Sequence, residues 1–345
     1  MFNHALWMKE YRQAKPVLWM LPVICLLFMG VARGFVIWNK LIPYEGMYNR
    51  DLTAESFYSA SYGLLFMRNC ALAGLIVLLA TSFIGMERRN LLNDFTFSLP
   101  FSRRRIFMVK WGIGVTFLAA SLFANEVVDA LVILLSPFSD HFNVLYHIKD
   151  FAFTIIVLTG LYTFALFVGT VTGSAFAQAI LTAIFSIFPV GFMTILMFFV
   201  YVNFRWDAGH VFSNPIFQVM MDMSLFFHVV GIREGVENAG VYIAHMWGPL
   251  LYTALFLPLG LYCYQRNRLE YNGRIILFRQ LQAVFKAGVA LCFALAIGMC
   301  FTILFVPDLD RSPNALLLPY YFGFIGGGLV TLIVMGRLMK VRLKV

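Results

Sequence analysis

Eight separate stretches of this chain are apolar for about the length of a membrane crossing, near residues 17–37, 61–84, 107–135, 151–172, 175–202, 247–264, 287–306 and 315–336. A bilayer core about 30 Å thick, climbed at about 1.5 Å per residue, asks for about 20 apolar residues per helix. Together the stretches take up most of the 345 residues and leave no room for a separate soluble domain. Composition points the same way: 61% of residues are hydrophobic and only 12% are charged, against about 25% charged in soluble domains. So few charges cannot dress a water-facing surface, and the missing surface faces lipid. The expectation is an all-α polytopic membrane protein of about eight transmembrane helices, one membrane domain over 1–345. A disordered chain, a secreted disulfide scaffold and a soluble nucleic-acid binder are excluded, although the net charge of +9 invites the last.

The basic residues have another use, because loops on the cytoplasmic side carry Lys and Arg in excess. With the N terminus inside, 18 of the 26 Lys and Arg fall in inner segments, including Arg88, Arg89 and Arg103 to Arg105 after the second span, Arg266 to Lys286 after the sixth, and the C-terminal tail. That threefold bias over the outer segments places both termini in the cytoplasm. The apolar run after Lys9, Arg12 and Lys15 is too long for a signal-peptide core and lacks a small-residue cleavage site, so the first helix is expected to stay. Cys25, Cys70, Cys263, Cys292 and Cys300 lie in or beside apolar runs and act as small hydrophobes rather than as a disulfide framework.

One stretch strains this topology. Residues 215–231, within a large outer segment at 203–246, are apolar and open with Ser213-Asn214-Pro215, but they number about 17 and carry Asp222 in the middle. Their length suits a re-entrant or interfacial helix; a full crossing would move the basic stretch 265–286 and the C-terminal cations outside.

Two inner segments bear on function. Residues 1–15 mix Trp7 and Tyr11 with Lys9, Arg12 and Lys15, as a helix lying in the headgroup layer does, and Pro16 then opens the first span. Residues 85–110, GMERRNLLNDFTFSLPFSRRRIFMVK, place both charge signs around Leu91, Leu92, Phe95 and Phe97. Such a segment can lie across the cytoplasmic face and offer a knob to another protein; a solvated basic loop is the plainer alternative.

The KEYR-like N-terminal helix, followed by SLPFSRRRIFMVK between spans two and three, resembles the permease subunits of type-2 ATP-binding-cassette (ABC) transporters. The two further spans past the sixth resemble the acetoin-utilisation (Ytr-type) permeases of Gram-positive bacteria. The resemblance implies an interfacial connecting helix holding Lys9, Glu10 and Arg12. It also implies a coupling helix within 85–105 whose Glu87, Arg88, Leu91, Leu92, Phe95, Arg103, Arg104 and Arg105 face a cytosolic ATPase. It further implies a second permease copy or paralogue as partner and a place in the bacterial cytoplasmic membrane.

The residues set limits of their own. A Walker A loop needs a Gly-Lys pair to hold phosphate, and none occurs, so ATP hydrolysis is expected on a separate polypeptide. No HExxH, GxSxG or Cys/His arrangement stands out, and His4, His141, His147, His210, His228 and His245 read as isolated, solvated side chains. No catalytic residue, cofactor or metal site is expected.

Charged residues inside spans are costly, which makes them candidates by default. Arg33, Arg68, Glu126 and Asp129 sit at comparable outer depth, and Glu126 and Asp129, three apart, share a helix face. Two positive and two negative charges can pin spans one to three together, with Asn125 as a further partner; a proton or substrate path through Glu126 and Asp129 is the sharper alternative. Gly160, Gly169, Gly173, Gly323, Gly326, Gly327 and Gly328 are candidates for close helix contact, and span five is expected to break at Pro189 and Gly191. The function that follows is an ABC exporter permease. An ion-coupled transporter using Glu126 and Asp129, and a non-transporting regulator bound to an ATPase, are the alternatives.

Overall fold

Inside a bilayer no water is at hand for peptide N–H and C=O groups, so apolar runs of this length satisfy their backbone as helices. The computed structural model describes residues 2–39, 57–58, 62–89, 100–204, 215–230, 246–267, 279–306 and 313–338, which hold no strand. Helix α1 is Phe2–Leu26, and it continues through a π-helical turn, Leu27–Val31, into α2, Ala32–Trp38. Helix α3, Tyr62–Ala80, passes through a second π turn, Thr81–Gly85, into the short α4, Met86–Arg89. Then come α5, Arg103–Leu134; α6, Val144–Val171; α7, Ala175–Phe204; α8, Pro215–Asp222; α9, Trp247–Gln265; α10, Arg279–Phe305; and α11, Pro313–Leu338.

Seven of these rods are long and apolar enough to cross a membrane. The eighth expected crossing, α9, is a 19-residue helix, but Trp247, three tyrosines, two prolines and two glycines keep it out of that set. Leu91, Leu92 and Phe95 lie outside the described residues, as do 205–214, 231–245 and 268–278.

Several boundaries differ from the sequence expectation. The chain does not restart at Pro16: α1 runs through both Pro16 and Pro22, so the expected connecting helix and first span are one continuous rod. Helix α7 likewise runs unbroken through Pro189 and Gly191. Proline removes an N–H and leaves the Phe185 carbonyl, one turn back, without its helical donor; the neighbouring Ser186 carbonyl accepts from Ser224 Oγ at 2.9 Å. The stretch 215–230 breaks at Met223 and Ser224 into two short helices, neither long enough to cross a bilayer. Helix α6 begins seven residues before the expected 151, because Asn143 Oδ1 accepts from the N–H groups of Leu145 and Tyr146 at 3.0 and 3.3 Å and caps the helix there.

The described helices form two units. The first, Met1–Thr170 with Leu225–Asn267, is built on α5, against which α1 and α9 pack, with α3 on α1. One close backbone approach in it is at Gly160 on α6, where an added Cβ would stand 2.8 Å from the Pro249 carbonyl oxygen of α9. The second unit, Val171–Ser224 with Arg268–Val345, is an α10–α11 hairpin packed on α7, with α8 against the same helix. Gly323 and Gly327 let α11 close on Ile297 of α10, while Gly326, one position off that stripe, meets no neighbour within 4 Å.

Candidate functional site

Helix α5 carries two buried charge clusters, one near each end. Lys110 and Glu126 are 16 residues apart on it, about 24 Å at helical rise, close to the thickness of a hydrocarbon core.

The first cluster is centred on Lys110, which is fully buried. Its Nζ donates to Glu10 Oε2 on α1 at 2.5 Å, to Glu87 Oε1 on α4 at 2.7 Å and to the Phe83 carbonyl at 3.0 Å. Lys9 Nζ adds bonds to Glu10 Oε1 at 2.9 Å and Glu87 Oε1 at 3.2 Å. The π turn at Thr81–Gly85 takes part: its Phe83 carbonyl accepts from Lys110, and its Ser82 carbonyl accepts from Gln13 Nε2 at 3.0 Å. Tyr162 OH donates to the Lys110 carbonyl at 2.8 Å, which ties α6 to the same point. Four charges in one knot thus join α1, α4 and α5.

This arrangement corrects two expectations. Glu87 does not face outward for a partner; it is buried and paired with two lysines. Glu10 and Lys9 do not lie free in a headgroup layer either: unpaired burial of Lys110 would leave a charge in low dielectric, Glu10 and Glu87 neutralise it, and Lys9 pairs with the same two carboxylates. Arg12 is exposed, as are Arg104 and Arg105, whereas Arg103 turns inward and donates to the Gln265 and Asn267 carbonyls at 3.1 and 2.8 Å, closing the C-terminal end of α9. The side chain of Arg88 lies outside the described residues.

The second cluster contains Arg33, Arg68, Glu126 and Asp129, as the sequence grouped them, and two side chains the sequence did not. Arg33 pairs with Asp129, Nε to Oδ1 at 3.2 Å and Nη2 to Oδ2 at 3.4 Å, and its guanidinium lies 5.5 and 5.0 Å from the Phe57 and Tyr58 ring centres. Arg68 makes its bidentate pair with Asp150 of α6, at 2.7 and 2.9 Å, and also bonds Asn69 and Thr154. Glu126 stands 4.0 Å from Arg68 Nη1 and meets Nδ1 of His147 at 2.8 Å. The cluster therefore fastens α6 as well as the first three spans. Asn125 takes no part in it; its amide donates to the Ser121 and Pro22 carbonyls.

The apolar run of span four begins at residue 151, which by sequence leaves Asp150 and His147 in an outer segment and reads His147 as a solvated side chain. Both are buried. Their signal was Asn143, a helix cap whose placement puts His147 and Asp150 on the first two turns of α6. Among the described residues no group of three His, Cys, Asp or Glu side chains is placed to hold a metal ion.

No family model matches the chain, and no solved structure matches it. Over 293 residues, 81% of this chain and 83% of the relative, it is 24% identical to the probable ABC transporter permease YtrC of Bacillus subtilis (strain 168). Over 282 residues, 79% of this chain and 80% of the relative, it is 24% identical to the probable ABC transporter permease YtrD of the same organism. With its apolar rods and this similarity over four-fifths of its length, the chain is a multi-pass protein of the cytoplasmic membrane that resembles ABC transporter permeases of the Ytr type.

Proposed function

We propose that this chain is the membrane-spanning subunit of an ABC exporter, driven by a separate ATPase and paired with a second permease copy or paralogue. The observation that carries this reading is the similarity to two ABC transporter permeases over about 80% of each chain. The Lys110 knot supports it mechanically. A push on the 85–105 segment from the cytoplasm reaches α1, α4 and α5 together through Glu10, Glu87 and Lys110, so the spans rock as one body. Leu91, Leu92 and Phe95 supply the apolar contact with the ATPase in this reading, flanked by exposed Arg104 and Arg105. The aromatic, lipid-exposed helices favour an apolar or amphipathic solute. Pairing of Glu126 and Asp129 with His147 and Arg33 favours a fixed cluster over an ion path.

The test is co-expression with a candidate ABC ATPase subunit, followed by co-purification and ATP hydrolysis. Leu92→Asp and Phe95→Asp are expected to lower both at least tenfold. If both variants bind and hydrolyse at the parental rate, the coupling contact is elsewhere. Solute movement by the isolated chain under an ion gradient, with no ATPase present, would overturn the permease reading.

A further inference from the structure

Formal charge distinguishes the two clusters. Around Lys110 two cations, Lys9 and Lys110, face two carboxylates, Glu10 and Glu87, and the knot is neutral as it stands. Around Arg68 two guanidiniums, Arg33 and Arg68, face three carboxylates, Glu126, Asp129 and Asp150. With a neutral imidazole at His147 that cluster, counted over the described residues, carries one negative charge too many, and an uncompensated buried charge is strongly disfavoured.

The hydrogen bonds locate the missing positive charge. Both Asp129 oxygens accept from Arg33, and both Asp150 oxygens accept from Arg68. Glu126 Oε2 and His147 Nδ1 are 2.8 Å apart, which requires a hydrogen between them. Among the described residues no donor reaches Glu126 Oε1 and no partner meets His147 Nε2, although these side chains are only 8% and 9% exposed. The Glu126 carboxyl is also in direct contact with that of Asp150, and two carboxyl groups share such a site when one of them is protonated. Facing the pair are Arg33 of α2, Arg68 of α3, Asp129 of α5 and Asp150 of α6. Cys25, Tyr58 and Tyr146 close the surroundings. Only the two guanidiniums among these bring positive charge.

We propose that Glu126 is a proton-binding site: a resident proton on Oε1 is donated toward the Asp150 carboxylate, while Oε2 accepts from Nδ1–H of His147. This state leaves no carboxylate oxygen without a donor, brings the cluster to neutrality and leaves only the bare lone pair of His147 Nε2. It does not depend on the permease reading. The proton is taken from water on folding and returned on unfolding, so stability is linked to pH. An unfolded glutamate gives up its proton above about pH 4.3. The contribution is therefore full below that value and falls as pH rises, until the folded site releases its proton too.

The experiment compares the full-length chain in lipid nanodiscs with Glu126→Gln, whose amide donates to Asp150 as the protonated acid does. Between about pH 5 and about pH 7 the parental Tm is expected to fall relative to the variant by about 2 °C per pH unit. The infrared spectrum of the parental protein at neutral pH is expected to show the carbonyl stretch of a buried carboxylic acid, shifted in heavy water and lost in Glu126→Gln. Parallel pH profiles of the two proteins would overturn the proposal, as would a parental spectrum without that band or a Glu126→Gln protein that fails to fold. Sodium restoring the parental Tm at high pH, where choline does not, would show a metal cation rather than a proton and would overturn it as well.

Discussion

Arg68 forms its bidentate pair with Asp150, 82 residues further along the chain, and not with Glu126 on the helix that packs nearer in sequence; the two contacts are 2.7 and 2.9 Å, against 4.0 Å to Glu126. Planar two-point pairing of this kind is the strong form of an arginine–carboxylate contact. It makes α6 part of the scaffold at that end of α5.

Arg68→Ala leaves Asp150 buried without its partner, which costs about 3–5 kcal/mol. The expected outcome is a large loss of folded, monodisperse protein with little change in activity per folded molecule. Adding Asp150→Ala to it should recover much of the loss, as read from size-exclusion yield and Tm. Normal yield with abolished activity would mean that the pair works in transport rather than in holding the helices.

Lys110→Met leaves Glu10 and Glu87 to share Lys9, with one buried negative charge in excess, and a loss of similar size, about 3–5 kcal/mol, is expected. A double-mutant cycle of Lys110→Met with Glu10→Gln should give a coupling energy of at least about 1 kcal/mol, since the two share a hydrogen bond. Additive effects in thermal melts would show that the knot does not act as a unit.

Gly160→Ala places a methyl 2.8 Å from a backbone oxygen that has no rotamer by which to withdraw. It should destabilise by about 1–3 kcal/mol. Gly74→Ala, where no neighbour stands within 4 Å, should be neutral or stabilise by up to about 1 kcal/mol through helix propensity. Thermal melts of the two variants side by side check the contrast.

Arg103→Ala removes the donor to the Gln265 and Asn267 carbonyls. A cost of about 1–2 kcal/mol is expected, with ATPase binding retained. Arg104→Ala and Arg105→Ala, which sit exposed, should leave Tm unchanged. Loss of ATPase co-purification on Arg103→Ala alone would move that residue from the packing of α9 to the partner surface.

The sequence by itself determined the class of the molecule. Hydropathy is a sum over neighbours along the chain, so the apolar rods and the all-helical backbone followed from runs of Leu, Phe, Ala and Met, and the 85–110 segment carried the family resemblance. The four intramembrane charges were also legible, because each breaks an apolar run. Their partners were not. Which carboxylate meets Arg68, whether Glu87 faces inward or outward, and whether His147 is wet or buried depend on how each helix is rotated and how deep it sits. Contacts across 82, 96 and 100 residues settle those questions. A one-residue rotation of about 100° would turn any of these side chains away, so only the tertiary packing of α1, α3, α5 and α6 decided that the charges close into two separate knots.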